Sequence, residues 1–375
     1  MNILIITDLY PENEKHSIKY TSWAVHDLVK GLNKYNINVK KIIRPVREVH
    51  WKGLKKNKQI FKEAIINDIL VETRSFINLP KGGFYLRNND ISYLDDSLKD
   101  IDLVISHMSF GAKLANLIYK KYNINFIYIL HQSDFRTLTL QQDIFRNAIG
   151  VYTRSWSLNN KLIKYGIISD KIVYSGIDKH LINFNCRSIG IDKKIKFISV
   201  NILEARKNID ITLKVLATLP REYDWEYIII GDGSQREYLS KLIKDLKIST
   251  RVQLLGSQKR SFCLEKMRES DVLIMPSNPE TFGLVYLEAM ASNCIVICAK
   301  NCGVDGLITN MVDGYTVESR NENQLKELLI NLFQNDQMQI LSNSQNLITK
   351  YTLVDAQKNY ASIINYALLK KVKNG

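Results

Sequence analysis

The feature that most constrains this chain is a repeated exchange between short, wholly apolar runs and longer segments with a helical period. In the first half the runs are NILIITDL, VKKIIRP, DLVISHM, NFIYILH, GVYTRS and KIVYSGI. In the second they are KFISVNI, WEYIIIGDG, RVQLLG, DVLIMPS and CIVICA. Segments such as YTSWAVHDLVKGLNKY, FGAKLANLIYKKY, IDITLKVLATL and REYLSKLIKDLK separate them, with apolar residues three or four apart. A strand that is apolar throughout is buried on both faces. The pattern therefore calls for α/β architecture, with parallel sheets covered by helices on each side. It restarts after the polar stretch NFNCRSIGIDKKI, residues 183–195. The sequence predicts two Rossmann-like domains, over 1–182 and 195–350, facing across a cleft. A helix over 351–375 would pack back on the first. In such sheets ligands bind outside the carboxyl ends of the strands, so functional side chains are sought just after the apolar runs.

Composition narrows the function classes. With 375 residues and 45% hydrophobic content the chain can bury two cores. It has no run of 18 apolar residues and begins MNILIITDLYPENEK, without a basic leader. A cytoplasmic protein is expected. The five cysteines, Cys186, Cys263, Cys294, Cys298 and Cys302, show no disulfide pattern. Cys294 and Cys298 lie on one predicted strand, where four residues span roughly 13 Å, too far to share an ion. They read as buried structural thiols. The net charge is +14. It is uneven: residues 1–180 hold 27 Lys/Arg against 17 Asp/Glu, or +10, and the rest 25 against 21, or +4. Lys40 to Lys62 contains nine basic residues and one acid, Glu48. Such a patch suits an anionic membrane surface, a diphosphate-linked substrate or nucleic acid. A merely solvated basic face is the plainer alternative. No zinc pairs, aromatic RNA-binding signature or basic zipper accompanies it, so no nucleic-acid partner is expected.

The stretch NPETFGLVYLEAM follows the run DVLIMPS. Amides of Phe282, Gly283 and Leu284 would open a helix, and such a terminus suits phosphate. Glu280 and Glu288 bracket it. A helical rise over eight residues separates them by roughly 12 Å, enough to flank a diphosphate with a sugar at each end. The plainer reading makes Glu280 a helix-terminal acid and Glu288 a surface residue. His131 and His107 both follow apolar runs, whereas His16, His26, His50 and His180 read as surface or supporting residues.

PETFGLVYLEAMA resembles the E-x7-E signature of retaining glycosyltransferases of family 4, which have the GT-B fold. ISVNILEARKNID, IIIGDGSQREYLSKLI, RVQLLGS and GVDGLITNMVDGYTV are similar to that family's other C-terminal elements, in the same order. HQSDF and IVYSGID resemble its N-terminal ones more loosely. The resemblance implies that Glu280 contacts a donor sugar, Glu288 binds ribose and Phe282, Gly283 and Leu284 hold a diphosphate. It implies that Lys207 neutralises diphosphate oxygens. Gly231 and Gly233 admit the nucleotide, and Leu255, Gly256 and Ser257 touch its base. His131 lies near the reacting carbon and is grouped with Glu280 and Lys207 as catalytic. Ser17, Lys19, Tyr20, His107, Asp134 and Arg136 fall on the acceptor side. The family's arginine five or six residues before the lysine is absent, with Asn201 and Ile202 there instead. Arg206 is the candidate substitute.

The function implied is retaining transfer of a sugar from a nucleotide-diphosphate sugar to a hydroxyl of a glycan or lipid-linked acceptor. The setting would be bacterial surface polysaccharide synthesis: O-antigen, capsule or exopolysaccharide. No D-x-D pair follows a strand, and Asp95 and Asp96 in LDDS read as a loop or cap. Neither a metal nor another cofactor is expected. The acceptor would be held on the cytoplasmic face of the membrane, with Lys40–Lys62 as a peripheral contact. Two alternatives remain: a nucleotide-sugar epimerase on the same fold, and a basic nucleic-acid-binding protein.

Overall fold

The computed structural model describes residues 1–13, 23–47, 61–78, 84–85, 91–169, 171–184, 189–190 and 193–374. The chain divides into two compact units. The first comprises Met1–Arg154, Asn159–Ser175 and Val354–Gly375, and the second Ser155–Leu158 and Gly176–Leu353.

The first unit contains β1 (Asn2–Ile6), β2 (Asn38–Arg47), β3 (Phe61–Ile66), β4 (Ile69–Asn78), β5 (Phe84–Tyr85), β6 (Leu103–His107), β7 (Phe126–Leu130) and β8 (Gly150–Thr153). Their order is β3-β4-β2-β1-β6-β7-β8, with β5 also on β4. From β4 through β8 the pairings are parallel. The two-residue period of a strand sends alternate side chains to opposite faces. Ile3, Ile5, Ile105, Ile127 and Ile129 pack on one face with Val25, Leu28, Ala356, Ile363 and Ile364. Leu4, Ile6, Val104, Phe126 and Tyr128 pack on the other with Ala112, Leu114, Ala115 and Ile118. Those last four belong to the helix Met108–Tyr122, which leaves β6 directly. A β-carbon on Gly111 would stand 2.8 Å from the Ile6 carbonyl oxygen, so glycine lets this helix close on β1.

The second unit contains β9 (Ile195–Val200), β10 (Trp225–Ile230), β11 (Val252–Leu254), β12 (Val272–Met275), β13 (Ile295–Ala299) and β14 (Tyr315–Val317). Their order is β11-β10-β9-β12-β13-β14, and all pairings are parallel. One face buries Phe197, Tyr227, Ile274 and Ile297 under the helices Ile209–Ala217 and Glu322–Gln334.

Two sequence expectations are corrected. KIVYSGI forms no strand; Ile172 makes only an isolated bridge to Thr153. Conversely, β3, β4 and β5 lie in a region where no strand was expected, and both β3 and β5 run antiparallel to β4. β3 is mostly exposed, so it lacks the apolar continuity that marks the other strands.

Candidate functional site

Two clusters of polar side chains stand at strand ends, one in each unit. In the second unit the chain leaves β9 through Asn201, makes a 3-10 turn over Ala205–Lys207 and enters the helix Ile209–Ala217. The loop after β12 is tied to that turn by backbone and side chain. Asn278 N–H donates to the Arg206 carbonyl at 2.9 Å, and Asn208 Nδ2 donates to the Pro276 carbonyl at 2.7 Å. Arg206 Nη1 donates to the Pro279 carbonyl at 3.1 Å.

These ties set the Lys207 ammonium 2.6 Å from Glu280 Oε2. Arg206 Nη1 lies 3.6 Å from the same oxygen. Arg206 also pairs with Glu204 at 2.6 Å. The neighbouring cations Arg206 and Lys207 thus converge on one carboxylate, because the tight turn brings both side chains to the same side. Glu280 is fixed from other directions too. Its Oε1 accepts from Thr281 N–H at 3.0 Å, and its own N–H donates to Cys302 Sγ at 2.9 Å. Gly303 N–H donates to its carbonyl at 3.2 Å.

The helix that follows is Leu284–Ala291, capped by Gly283 at φ +80°, with no side-chain cap. A β-carbon there would stand 2.5 Å from the Tyr286 ring, so glycine is required both by φ and by space. Amides at such a terminus suit an anionic group. Residues 280–283 are not helical, so the helical rise does not apply between Glu280 and Glu288. Glu288 pairs with Arg260, at the start of the helix Arg260–Arg268, at 2.7 Å. Gly231 follows β10, where a β-carbon would meet the Asn201 carbonyl oxygen at 1.7 Å. Its N–H donates to the Gly256 carbonyl at 2.8 Å, which joins the loop Leu255–Ser257 to it. The approach of Gly233 to the Leu203 backbone is similarly close. Asn201 occupies the region of the missing arginine. Both polar atoms of its side chain are enclosed and make no hydrogen bond.

In the first unit His107 ends β6 and His131 follows β7; both are buried. His107 Nδ1 lies 3.2 Å from His131 Nε2, and His107 Nε2 lies 3.0 Å from the Tyr360 hydroxyl. Asp134 is buried and accepts from His131 N–H at 2.7 Å and Ser109 N–H at 2.8 Å, joining the ends of β6 and β7. Burial pushes its carboxyl up to about 6, against the lowering effect of those two amides. Arg154 follows β8, is also buried, and donates through Nη2 to Ser175 Oγ at 2.6 Å. Burial, and then the nearby Arg154 charge, hold His107 well below the usual histidine range; for His131 the causes are burial, His107 and Arg154. Arg136 is exposed.

Ser17, Lys19 and Tyr20 lie outside the described residues, as do His16, His50, Cys186 and residues 48–60 of the basic patch. Within the described part of that patch Lys41 pairs with Glu72 at 2.9 Å and Lys62 with Glu12 at 3.0 Å. His26 is not a surface residue. It is buried, with Nδ1 2.7 Å from the Tyr10 hydroxyl and Nε2 2.9 Å from Asn67 Oδ1. Cys294 and Cys298 are buried and form no disulfide, and among the described residues no group of His, Cys, Asp and Glu is set to hold a metal ion. Arg154, Arg260, Cys302 and Tyr360 were missed from sequence. Arg154 was within reach, since it directly follows the run GVYT.

Residues 183–350 match the family model described as "Glycosyl transferases group 1". The match lies within the second unit. The matched residues include Lys207, Glu280 and Glu288. The chain is 27% identical over 271 residues to an uncharacterized glycosyltransferase of Methanocaldococcus jannaschii, covering 66% of this chain and 72% of that one. It is 29% identical to an O-antigen biosynthesis glycosyltransferase of Escherichia coli, covering 56% and 64%. Other curated relatives are matched over half their length or less. The structure is similar to that of Anabaena HepE in complex with UDP and glucose, with a TM-score of 0.68 and 17% identity, covering 98% of this chain and all of that one. With two units built on largely parallel sheets and this likeness in fold, the architecture is GT-B.

Proposed function

We propose that the chain is a retaining, metal-independent glycosyltransferase of family 4. It moves a sugar from a nucleotide-diphosphate sugar to a hydroxyl of a glycan or lipid-linked acceptor in bacterial surface polysaccharide synthesis. One observation carries this reading: Lys207 and Arg206 converge on Glu280 immediately before the uncapped helix terminus at Gly283. The UDP bound by the structural neighbour and the O-antigen role of the E. coli relative support it.

In the transfer, the bond from anomeric carbon to leaving diphosphate breaks as a bond to the acceptor oxygen forms on the same face. The leaving phosphate oxygen takes the acceptor proton. Charge develops on the diphosphate, and Lys207, Arg206 and the amides around Gly283 are the groups that stabilise it. With fixed cations in that role, no divalent ion or other cofactor is needed. Glu280 then holds the sugar hydroxyls, through the strong hydrogen bonds a carboxylate accepts. Glu288 holds the ribose in the same way, with Gly231, Gly233 and Leu255–Ser257 against the rest of the nucleoside.

Thermal-shift screening against UDP-, GDP- and ADP-sugars tests this. At least one donor should raise the melting temperature, and Glu280→Ala should lose discrimination among sugars while keeping nucleotide binding. Normal transferase activity in that variant refutes the role of Glu280. Turnover without an acceptor would point to an epimerase. No described helix is long and apolar enough to cross a membrane. The proposed location is cytoplasmic, with peripheral attachment through Lys40–Lys62. Flotation with anionic liposomes checks this, and the absence of salt-sensitive binding sinks it.

A further inference from the structure

Glu288 is the only charged side chain on the helix Leu284–Ala291, LVYLEAMA. That side chain is 12% exposed, so water solvates its charge poorly and a partner is needed. Among the described residues the one cation within ion-pairing reach is Arg260, whose Nε donates to Glu288 Oε1 at 2.7 Å. Arg260 opens the helix Arg260–Arg268, and a carboxylate is favoured beside the positive end of a helix. Cys263 lies one turn further along the same helix. Its thiol is pushed up by burial and then by the Glu288 charge, which sets the carboxylate against this face of the helix. A carboxylate has about four lone-pair directions, and Arg260 uses one of them on Oε1. Among the described residues nothing donates to Oε2. The group is therefore held at one oxygen and open at the other.

We infer that Arg260 is a positioning residue for Glu288: it orients the carboxylate to accept from the adjacent 2′ and 3′ hydroxyls of a ribose, and so sets a preference for ribonucleotides over 2′-deoxyribonucleotides. This deepens the function proposed above and rests on it, since it takes Glu288 as the group that meets the ribose.

The backbone that carries Arg260 is itself fixed. Leu255 N–H donates to the Ile229 carbonyl at 3.0 Å, and Gly231 N–H donates to the Gly256 carbonyl at 2.8 Å. Gln258 Nε2 returns to the Leu255 carbonyl at 2.9 Å. The loop Leu255–Ser257 is thus tied to the end of β10, and Arg260 follows only three residues after it. The short run that borders the base under the proposed reading also places the cation that orients the ribose carboxylate. A free glutamate on a helix surface turns about three bonds, and ordering it on binding weakens affinity. Here the order exists before a nucleotide arrives. Stability does not account for the contact as well, because Arg260 is 44% exposed and an exposed ion pair adds little to folding.

Titration calorimetry on the full chain tests this. UDP, GDP and ADP are titrated first, and the one that binds tightest is then compared with its 2′-deoxy counterpart. The wild type should prefer the ribonucleotide by about tenfold or more, the worth of one hydrogen bond to a charged group. Arg260→Met should reduce that preference to within about threefold, by weakening the ribonucleotide while leaving the 2′-deoxynucleotide nearly unchanged. Arg260→Lys keeps a cation and a donor and should give a preference between the two. The ratio is read on one variant at a time, so a partly unfolded sample lowers both arms alike and does not mimic the effect. Equal weakening of both nucleotides by Arg260→Met overturns the inference, since Arg260 would then act as a plain charge on the diphosphate. An unchanged preference overturns it too, because the ion pair would then join two helices and do nothing more. In both of those cases nucleotide binding stands and the proposed function survives. Failure of UDP, GDP and ADP alike to bind the wild type removes the proposed function, and the inference with it.

Discussion

Replacing Glu280 by Gln should damage the second unit far more than replacing its partner Lys207 by Met. The asymmetry follows from exposure and distance. Lys207 has a side chain only 8% exposed and sits 2.6 Å from Glu280, whose side chain is 14% exposed. Without the carboxylate, a buried ammonium is left uncompensated, with the guanidinium of Arg206 nearby and adding repulsion. Breaking a buried pair from one side costs about 3–5 kcal/mol. The reverse change leaves Glu280 with Arg206 at 3.6 Å and the Thr281 amide at 3.0 Å. Its cost is about 1–2 kcal/mol, discounted because Arg206 is itself partly exposed. The double variant replaces the pair by two neutral groups, so it should be more stable than Glu280→Gln alone, by about 2 kcal/mol. Calorimetry reads this directly. At about 2–4 °C per kcal/mol for a unit of this size, Glu280→Gln should lower the relevant transition by roughly 6–20 °C, and Lys207→Met should partly rescue it. Equal effects of the two single variants, or strict additivity in the double, would refute the claim that Glu280 exists in part to hold Lys207.

Three further outcomes are expected. Gly283→Ala should cost upwards of about 2 kcal/mol, because φ is +80° and the Tyr286 ring stands in the way; a melting temperature within 2 °C of wild type, on the scale of about 2–4 °C per kcal/mol, counts against it. Cys302→Ala removes the acceptor of the Glu280 amide and should weaken donor-induced thermal shifts, whereas Cys302→Ser should retain them; equal losses in both would deny the sulfur that role. Asp134 keeps its proton up to about pH 6 when folded, whereas the unfolded carboxyl releases it near pH 4. Its stabilising contribution is therefore complete below about pH 4 and lost as pH rises through 6. The stability advantage of wild type over Asp134→Asn should accordingly grow as pH falls from 6 to 4, and a melting-temperature series showing the opposite slope overturns the assignment.

Most of the parallel core was legible because burial on both faces leaves no ambiguity in the runs NILII, LVISH, FIYIL and IVICA. The edge of the first sheet was not. β3 exposes most of its residues, so its pattern is diluted by Lys62 and Glu63. A local signal did exist: Asn67 and Asp68 both take positive φ, 47° and 64°, in the two-residue turn that joins β3 to β4. The strand-end rule located Lys207, Glu280, His107 and His131, since each follows a buried run. It could not reveal that Lys207 and Glu280 touch, nor that Cys302 supports the loop. Those pairings depend on which strands are neighbours, and nothing local in the chain states that β9 lies beside β12. Tyr360 is the extreme instance, with a partner 253 residues away.

That separation bears on how the molecule is made. The first unit takes its last helix from Val354–Gly375, whereas the second is complete at Leu353. A chain emerging in order from the ribosome has every residue of its second unit available before it has the final piece of its first. Of the two units, the one begun first is finished second. Until then Ala356, Ile363 and Ile364 are missing from one face of its sheet, and His107 lacks its contact with the Tyr360 hydroxyl. The histidine pair thus gains the Tyr360 hydroxyl only after the whole of the second unit has been made.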